Sequence, residues 1–98
     1  PKPGEGPSLQ DQLNGYFDLR LHGRNKKGQQ LMVQVTGDRD PGYGSTAKML
    51  AQAGLCLAFD LAAEDKAGGF WTPATAMGDL LVERLSEHAG MTFETYEK

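Results

Sequence analysis

Residues 41–59, PGYGSTAKMLAQAGLCLAF, set a Gly-rich turn directly before a helix that is apolar over most of its circumference. Ser45 or Thr46 supplies the hydroxyl expected at the helix cap. Ser45, Lys48 and Gln52 form one narrow polar stripe at helical spacing, and Cys56 continues it. Elsewhere stand Ala47, Met49, Leu50, Ala51, Ala53, Leu55, Leu57 and Phe59. A helix patterned this way is buried on several sides. A chain of 98 residues supports one domain with one core. One hairpin and one further helix cover only part of such a helix, so another domain or subunit is expected to cover the rest.

The other elements follow from periodicity. Phe17, Leu19 and Leu21 alternate with Asp18, Arg20 and His22, and Leu31, Val33 and Val35 alternate with Met32, Gln34 and Thr36. Period-two alternation marks strands with one buried face. The polar stretch between them, GRNKKG at residues 23–28, is a hairpin connection, and its three basic residues read as a solvated turn in preference to a phosphate contact. Thr72-Pro73 is a strong helix start, with Thr at the cap and Pro at the first helical position. Met77, Leu80, Leu81 and Leu85 then share one face, and Gly90 stops the helix. Residues 91–96 alternate as a last strand with Phe93 as its main apolar residue. The expected fold is α+β in the order β-β-α-α-β: a small mixed sheet with a hairpin, two helices packed on it and a C-terminal strand. Residues 1–15 read as a Pro/Gly-rich connector and 16–98 as the domain. The opening Pro1-Lys2-Pro3-Gly4, with neither signal peptide nor initiator Met, is the pattern of a processed end, a cut or an internal boundary.

Composition excludes several classes of function. A net charge of −3 creates no field that attracts nucleic acid. One cysteine allows no internal disulfide and no multi-cysteine metal site. No apolar run reaches the roughly 18 residues that span a bilayer. His22 and His88 stand without His or Cys partners at ligand spacing, so no metal site is expected. Cys56 reads as a small core hydrophobe, and Phe70 and Trp71 as core or interface residues.

Residues 42–47, GYGSTA, satisfy G-x-G-x-x-G/A before a helix, and Asp60 or Glu64 lies near the distance expected of a ribose-binding acid. A dinucleotide fold needs that acid at the end of a second, parallel strand. The segment 61–66, LAAEDK, is no strand. The glycines therefore read as a tight turn, with the alternative that backbone N–H groups at the helix start face an anionic ligand group. Tyr43, Gly44, Ser45, Thr46 and Lys48 are the candidate cleft residues, offering hydroxyls, backbone donors and one cation near one helix end. No catalytic set can be named.

Taken together, PGEGPS at 3–8, Gly15-Tyr16-Phe17, DPGYGSTAKM at 40–49 and GGFWTPA at 68–74 resemble the C-terminal part of the saccharopine-dehydrogenase-like oxidoreductases, including the provisionally named enoyl reductases of that group. The resemblance runs from Pro3 to about Glu94. It implies a parent with an N-terminal Rossmann domain binding NAD(P), absent here, and a later substrate-binding and dimerisation part. It further implies that this portion alone lacks complete nicotinamide binding, is inactive alone, joins the missing domain, forms a homodimer and works in the cytoplasm. The alternative is an oligomerisation or structural domain with no chemistry of its own.

Overall fold

A computed structural model describes residues 2–97. Three strands form one antiparallel meander: β1 (Phe17–Arg24), β2 (Gln30–Gly37) and β3 (Thr92–Glu97), in the order β1-β2-β3. The hairpin register runs from Phe17↔Gly37 to Arg24↔Gln30. Its turn closes as Asn25 Oδ1 accepts from the N–H groups of Lys27 and Gln29, with Gly28 at φ 83° where an L side chain is disfavoured. β3 lies on the other side of β2, pairing Met32 with Tyr96 and Val35 with Phe93.

The α+β class and the β-β-α-α-β order hold, but the sheet is antiparallel throughout rather than mixed. The connection explains why. A single helix carries a chain back to the start of the strand it left, which makes the next strand parallel. Here two helical passes, out along α2 (Gly44–Leu55) and back along α4 (Asp79–His88), return the chain to the end where β2 finished.

Three local departures accompany this. Within the expected connector, Leu9–Asn14 forms a short helix, α1, whose Ser8 cap accepts from the Asp11 N–H at 3.1 Å. The second helix breaks into α3 (Pro73–Met77) and α4 at Gly78, whose φ 53°, ψ −131° is a conformation reserved to glycine. The first ends at Leu55 and continues as a π-turn over Cys56–Asp60, closed by Leu61 N–H donating to the Cys56 carbonyl at 3.1 Å.

The core is small. Leu85, Ala89 and Met91 are buried, with Phe17, Val35, Met49, Leu81 and Phe93 packed against them. The helices thus cover one end of the apolar sheet face; Leu21 and Leu31 toward the other end, and Leu19 on the edge strand, stay exposed. α2 turns its polar stripe inward: Ser45 and Cys56 are buried, and Lys48, Gln52 and Met49 are half-buried. Its apolar side, with Leu50, Leu55, Leu57 and Phe59, faces outward. The radius of gyration is 16.2 Å, against about 13 Å for a compact chain of this length. The accessible surface is 7350 Å², whereas a compact monomer of 10.6 kDa exposes about 5,500 Å². Roughly 1,900 Å² more is open than a compact monomer of this mass leaves open.

Candidate functional site

The turn between β2 and α2 is organised by Asp40. Its carboxylate accepts from the N–H groups of Tyr43 at 2.9 Å and Gly44 at 2.7 Å, while its carbonyl accepts from Ser45 N–H at 2.9 Å. Asp40 thereby satisfies the first free amides of α2, the task assigned by sequence to Ser45 or Thr46. Those hydroxyls instead donate backwards. Ser45 Oγ donates to the Arg39 carbonyl at 2.9 Å, and Thr46 Oγ1 donates to the Pro41 carbonyl at 2.6 Å. Gly44 packs so closely that an added Cβ would stand 2.8 Å from Arg39 Cβ and 2.9 Å from Asp40 Oδ1. The second glycine of the motif serves close packing of the turn.

Lys48 reaches back along α2 to Asp38, Nζ to Oδ1, at 2.9 Å. That ammonium holds the Asp38 carboxyl below its ordinary value against a smaller opposing effect of burial. Gly90, at φ 64°, lies against the same carboxylate where a Cβ would collide with it. Tyr43 is more than half exposed, its ring faces Gly6, and its hydroxyl has no hydrogen-bond partner among the described residues. Among the five candidates, Tyr43 therefore has the open polar atom. Gly44, Ser45, Thr46 and Lys48 are engaged within the turn or by Asp38.

This geometry decides against an anion at the helix start. A carboxylate already occupies the position where the amides of Tyr43 and Gly44 converge, so a pyrophosphate would meet like charge instead of free donors. The dinucleotide fingerprint fails at its other end too. Residues Ala63–Asp65 form a 3-10 turn, not a strand, and Asp60 is held by Arg84 at 2.7 and 3.0 Å. Arg84, which also donates to Gln52 Oε1 at 3.2 Å, draws the Asp60 carboxyl below its ordinary value and fastens the π-turn to α4. Burial raises the pKa of Cys56, and the neighbouring Asp60 carboxylate raises it further, so the thiol stays protonated and unreactive. The turn does not suit a nicotinamide dinucleotide.

Two apolar hollows flank these elements. One, of about 420 Å³, lies between sheet and α2, lined by Phe17, Leu19, Val35, Pro41, Met49 and Met91, with Asp18 at its rim. The other, of about 370 Å³, lies under residues 66–73 and includes Leu57, Leu61, Trp71, Pro73 and Met77. Trp71 is fixed there by its Nε1 donating to the Ala67 carbonyl at 2.9 Å and by the Lys66 ammonium 5.0 Å from its ring centre. Phe70 beside it is fully exposed and takes no part in the core. Among the described residues no group of three or more His, Cys, Asp or Glu side chains is arranged to hold a metal, and no helix is long and apolar enough to cross a membrane. Asp40 and Arg84 are the organising residues that periodicity did not single out. An Asp four residues before a helix, ahead of Pro-Gly, is the available sign of the first, and nothing in local pattern marks the second.

Fold and site together define an α+β unit with a self-capped turn, two apolar hollows and apolar sides of α2 and the sheet that the described residues leave open. Comparison with known proteins adds what the chain is similar to. The chain is 39% identical over 95 residues to a provisionally named trans-acting enoyl reductase of Mycobacterium tuberculosis, covering 97% of this chain and 22% of that protein. It is 40% identical over 85 residues to a trans-acting enoyl reductase of Mycobacterium bovis, 87% of this chain and 20% of that one. A Mycobacterium ulcerans trans-acting enoyl reductase is 36% identical over 87 residues, 89% and 21% of the two chains. The chain thus spans about a fifth of the length of these relatives. No family model matches it, and no solved structure matches it.

Proposed function

We propose that this chain is a portion of an NAD(P)-dependent oxidoreductase of the trans-acting enoyl reductase kind, within the saccharopine-dehydrogenase-like group, and that it supplies cleft and subunit-interface surface while a Rossmann domain elsewhere in the parent binds the cofactor. The observation that carries the reading is similarity along nearly the whole chain to proteins more than four times its length, in a structure that leaves the apolar sides of α2 and of the sheet open. Tyr43 would face the cleft with its unengaged hydroxyl. Gly44, Ser45, Thr46 and Lys48 would border the cleft and hold its wall in shape. The complete protein would act in the cytoplasm as a homodimer.

The test replaces the matched segment of the Mycobacterium tuberculosis relative with this chain and follows NAD(P)H consumption with an enoyl thioester. The chimera is expected to turn over, and Tyr43→Phe in it to lower kcat/KM at least about tenfold if the hydroxyl touches substrate. A folded chimera without activity would count against the reading. Tight, stoichiometric NADPH binding by the 98-residue chain alone would overturn the assignment of the cofactor to another domain. A second reading, an interface domain without chemistry, is favoured by the internal engagement of Ser45, Thr46 and Lys48. It predicts an active chimera indifferent to Tyr43→Phe.

A further inference from the structure

The outer edge of β1 has no strand beside it among the described residues. At the hairpin turn, Asn25 N–H donates to the Gln29 carbonyl, which sets the phase of the ladder. Phe17, Leu19, Leu21 and Gly23 therefore turn their backbone groups toward β2. Asp18, Arg20 and His22 turn theirs outward, as alternation in an antiparallel pair requires. On the side chains the same alternation puts Leu19 and Leu21, 55% and 51% exposed, on one face and the Asp18–Arg20 ion pair, 2.9 Å, on the other.

We propose that this edge is self-complementary, and that two copies of the chain pair β1 antiparallel to β1 about a two-fold axis at Leu19. The proposal rests on the subunit-interface part of the reading above and not on its reductase part. At that axis the outward amides are in phase. Asp18 stands opposite Arg20 of the partner subunit, and Arg20 opposite Asp18 of the partner subunit, so the two ion pairs merge into a quartet of alternating charge. On the other face Leu19 meets Leu19 of the partner subunit, and Phe17 meets Leu21 of the partner subunit, at cross-strand distances of about 5 Å.

Neighbouring registers fail. An axis at Arg20 sets arginine opposite arginine and an axis at Asp18 sets aspartate opposite aspartate, while an axis at Leu21 sets Leu19 opposite Gly23 and Phe17 opposite Asn25 and so gives up the apolar pairs. Like charges directly across a ladder destabilise it.

Sedimentation of the intact chain at low salt tests the proposal, with circular dichroism verifying folding of each variant. The chain is expected to be a dimer. Asp18→Arg and Arg20→Asp should each weaken it about tenfold or more, and the double reversal should restore it, because it rebuilds the quartet with opposite polarity. In parallel, Leu19→Cys should form an interchain disulfide on mild oxidation, since directly opposed residues at that position fall within disulfide reach. Leu21→Cys should not form one, and native Cys56, at 0% exposure, stays silent in both. A monomeric chain, or a dimer indifferent to the single reversals or cross-linked through Leu21→Cys, overturns the proposal. A strand from a different protein, or from another part of a longer parent, as the natural occupant of the edge gives the monomeric result. Loss of NAD(P)H turnover in the chimera, by contrast, leaves this interface untouched.

Discussion

Replacing Asp40 by alanine removes one carboxylate and strands the N–H groups of Tyr43 and Gly44, which it receives at 2.9 and 2.7 Å. Loss of a helix cap costs about 0.5–2 kcal/mol. Two donors and a half-buried setting put Asp40 in the upper half of that range. At roughly 4–8 °C per kcal/mol for a domain of this size, Asp40→Ala should lower Tm by about 5–15 °C. Asp40→Asn keeps one acceptor oxygen and should lose about half as much. The assay is thermal unfolding by circular dichroism with and without phosphate. The native chain should show no phosphate effect beyond that of sulfate or chloride at matched ionic strength, because the amides are taken. Asp40→Ala, with its amides free, should recover part of its loss in phosphate. An unchanged Tm in Asp40→Ala, or specific stabilisation of the native chain by phosphate, would refute the capping account and reopen the anion site.

Two further outcomes follow from the geometry. Gly78→Ala forces an L residue into φ 53°, ψ −131° and should cost about 1–3 kcal/mol in denaturant unfolding, more than alanine at the exposed Gly54, which has open space around it. Because Lys48 lowers the Asp38 pKa in the folded state, the pair adds stability above the ordinary carboxylate value near 3.8 and loses it as pH falls through the lower folded value. Asp38→Asn should therefore lower the neutral plateau by a small amount, the pair being half in solvent, and meet the native curve in acid, so that the acid limb is flatter by that same amount.

Much of the fold was legible because its signals are local. The hairpin declares itself by alternation on both sides of a Gly-bounded turn, the second helix by Thr72-Pro73, and the last strand by Gly90 followed by alternation. Excluding a dinucleotide fold was equally local, since residues 61–66 carry no strand pattern and form none. The break at Gly78 was not legible. Glycine within a periodic helix is tolerated, and the spacing of Met77, Leu80, Leu81 and Leu85 on one face carries no sign of a change of axis. At the turn, hydroxyls at Ser45 and Thr46 looked like caps because the residue type fits. Asp40 won because the chain folds back at Pro41-Gly42 and brings its carboxylate onto the same amides.

The helix preceded by residues 41–44 shows the division most clearly. Sequence by itself determined that it is helical, that its circumference is mostly apolar, and that 98 residues leave part of it uncovered, since composition and spacing set how much apolar surface exists. Only the tertiary structure decided which side is uncovered. Ser45, Lys48, Gln52 and Cys56 turn inward because the Arg39 carbonyl, Asp38, Arg84 and Asp60 wait there to satisfy them, partners drawn from both ends of the domain. Hydrogen bonds and ion pairs between residues distant in the chain have no periodic signature, and here they outweigh the pattern of the helix itself. Leu50, Leu55, Leu57 and Phe59 are left on the outside.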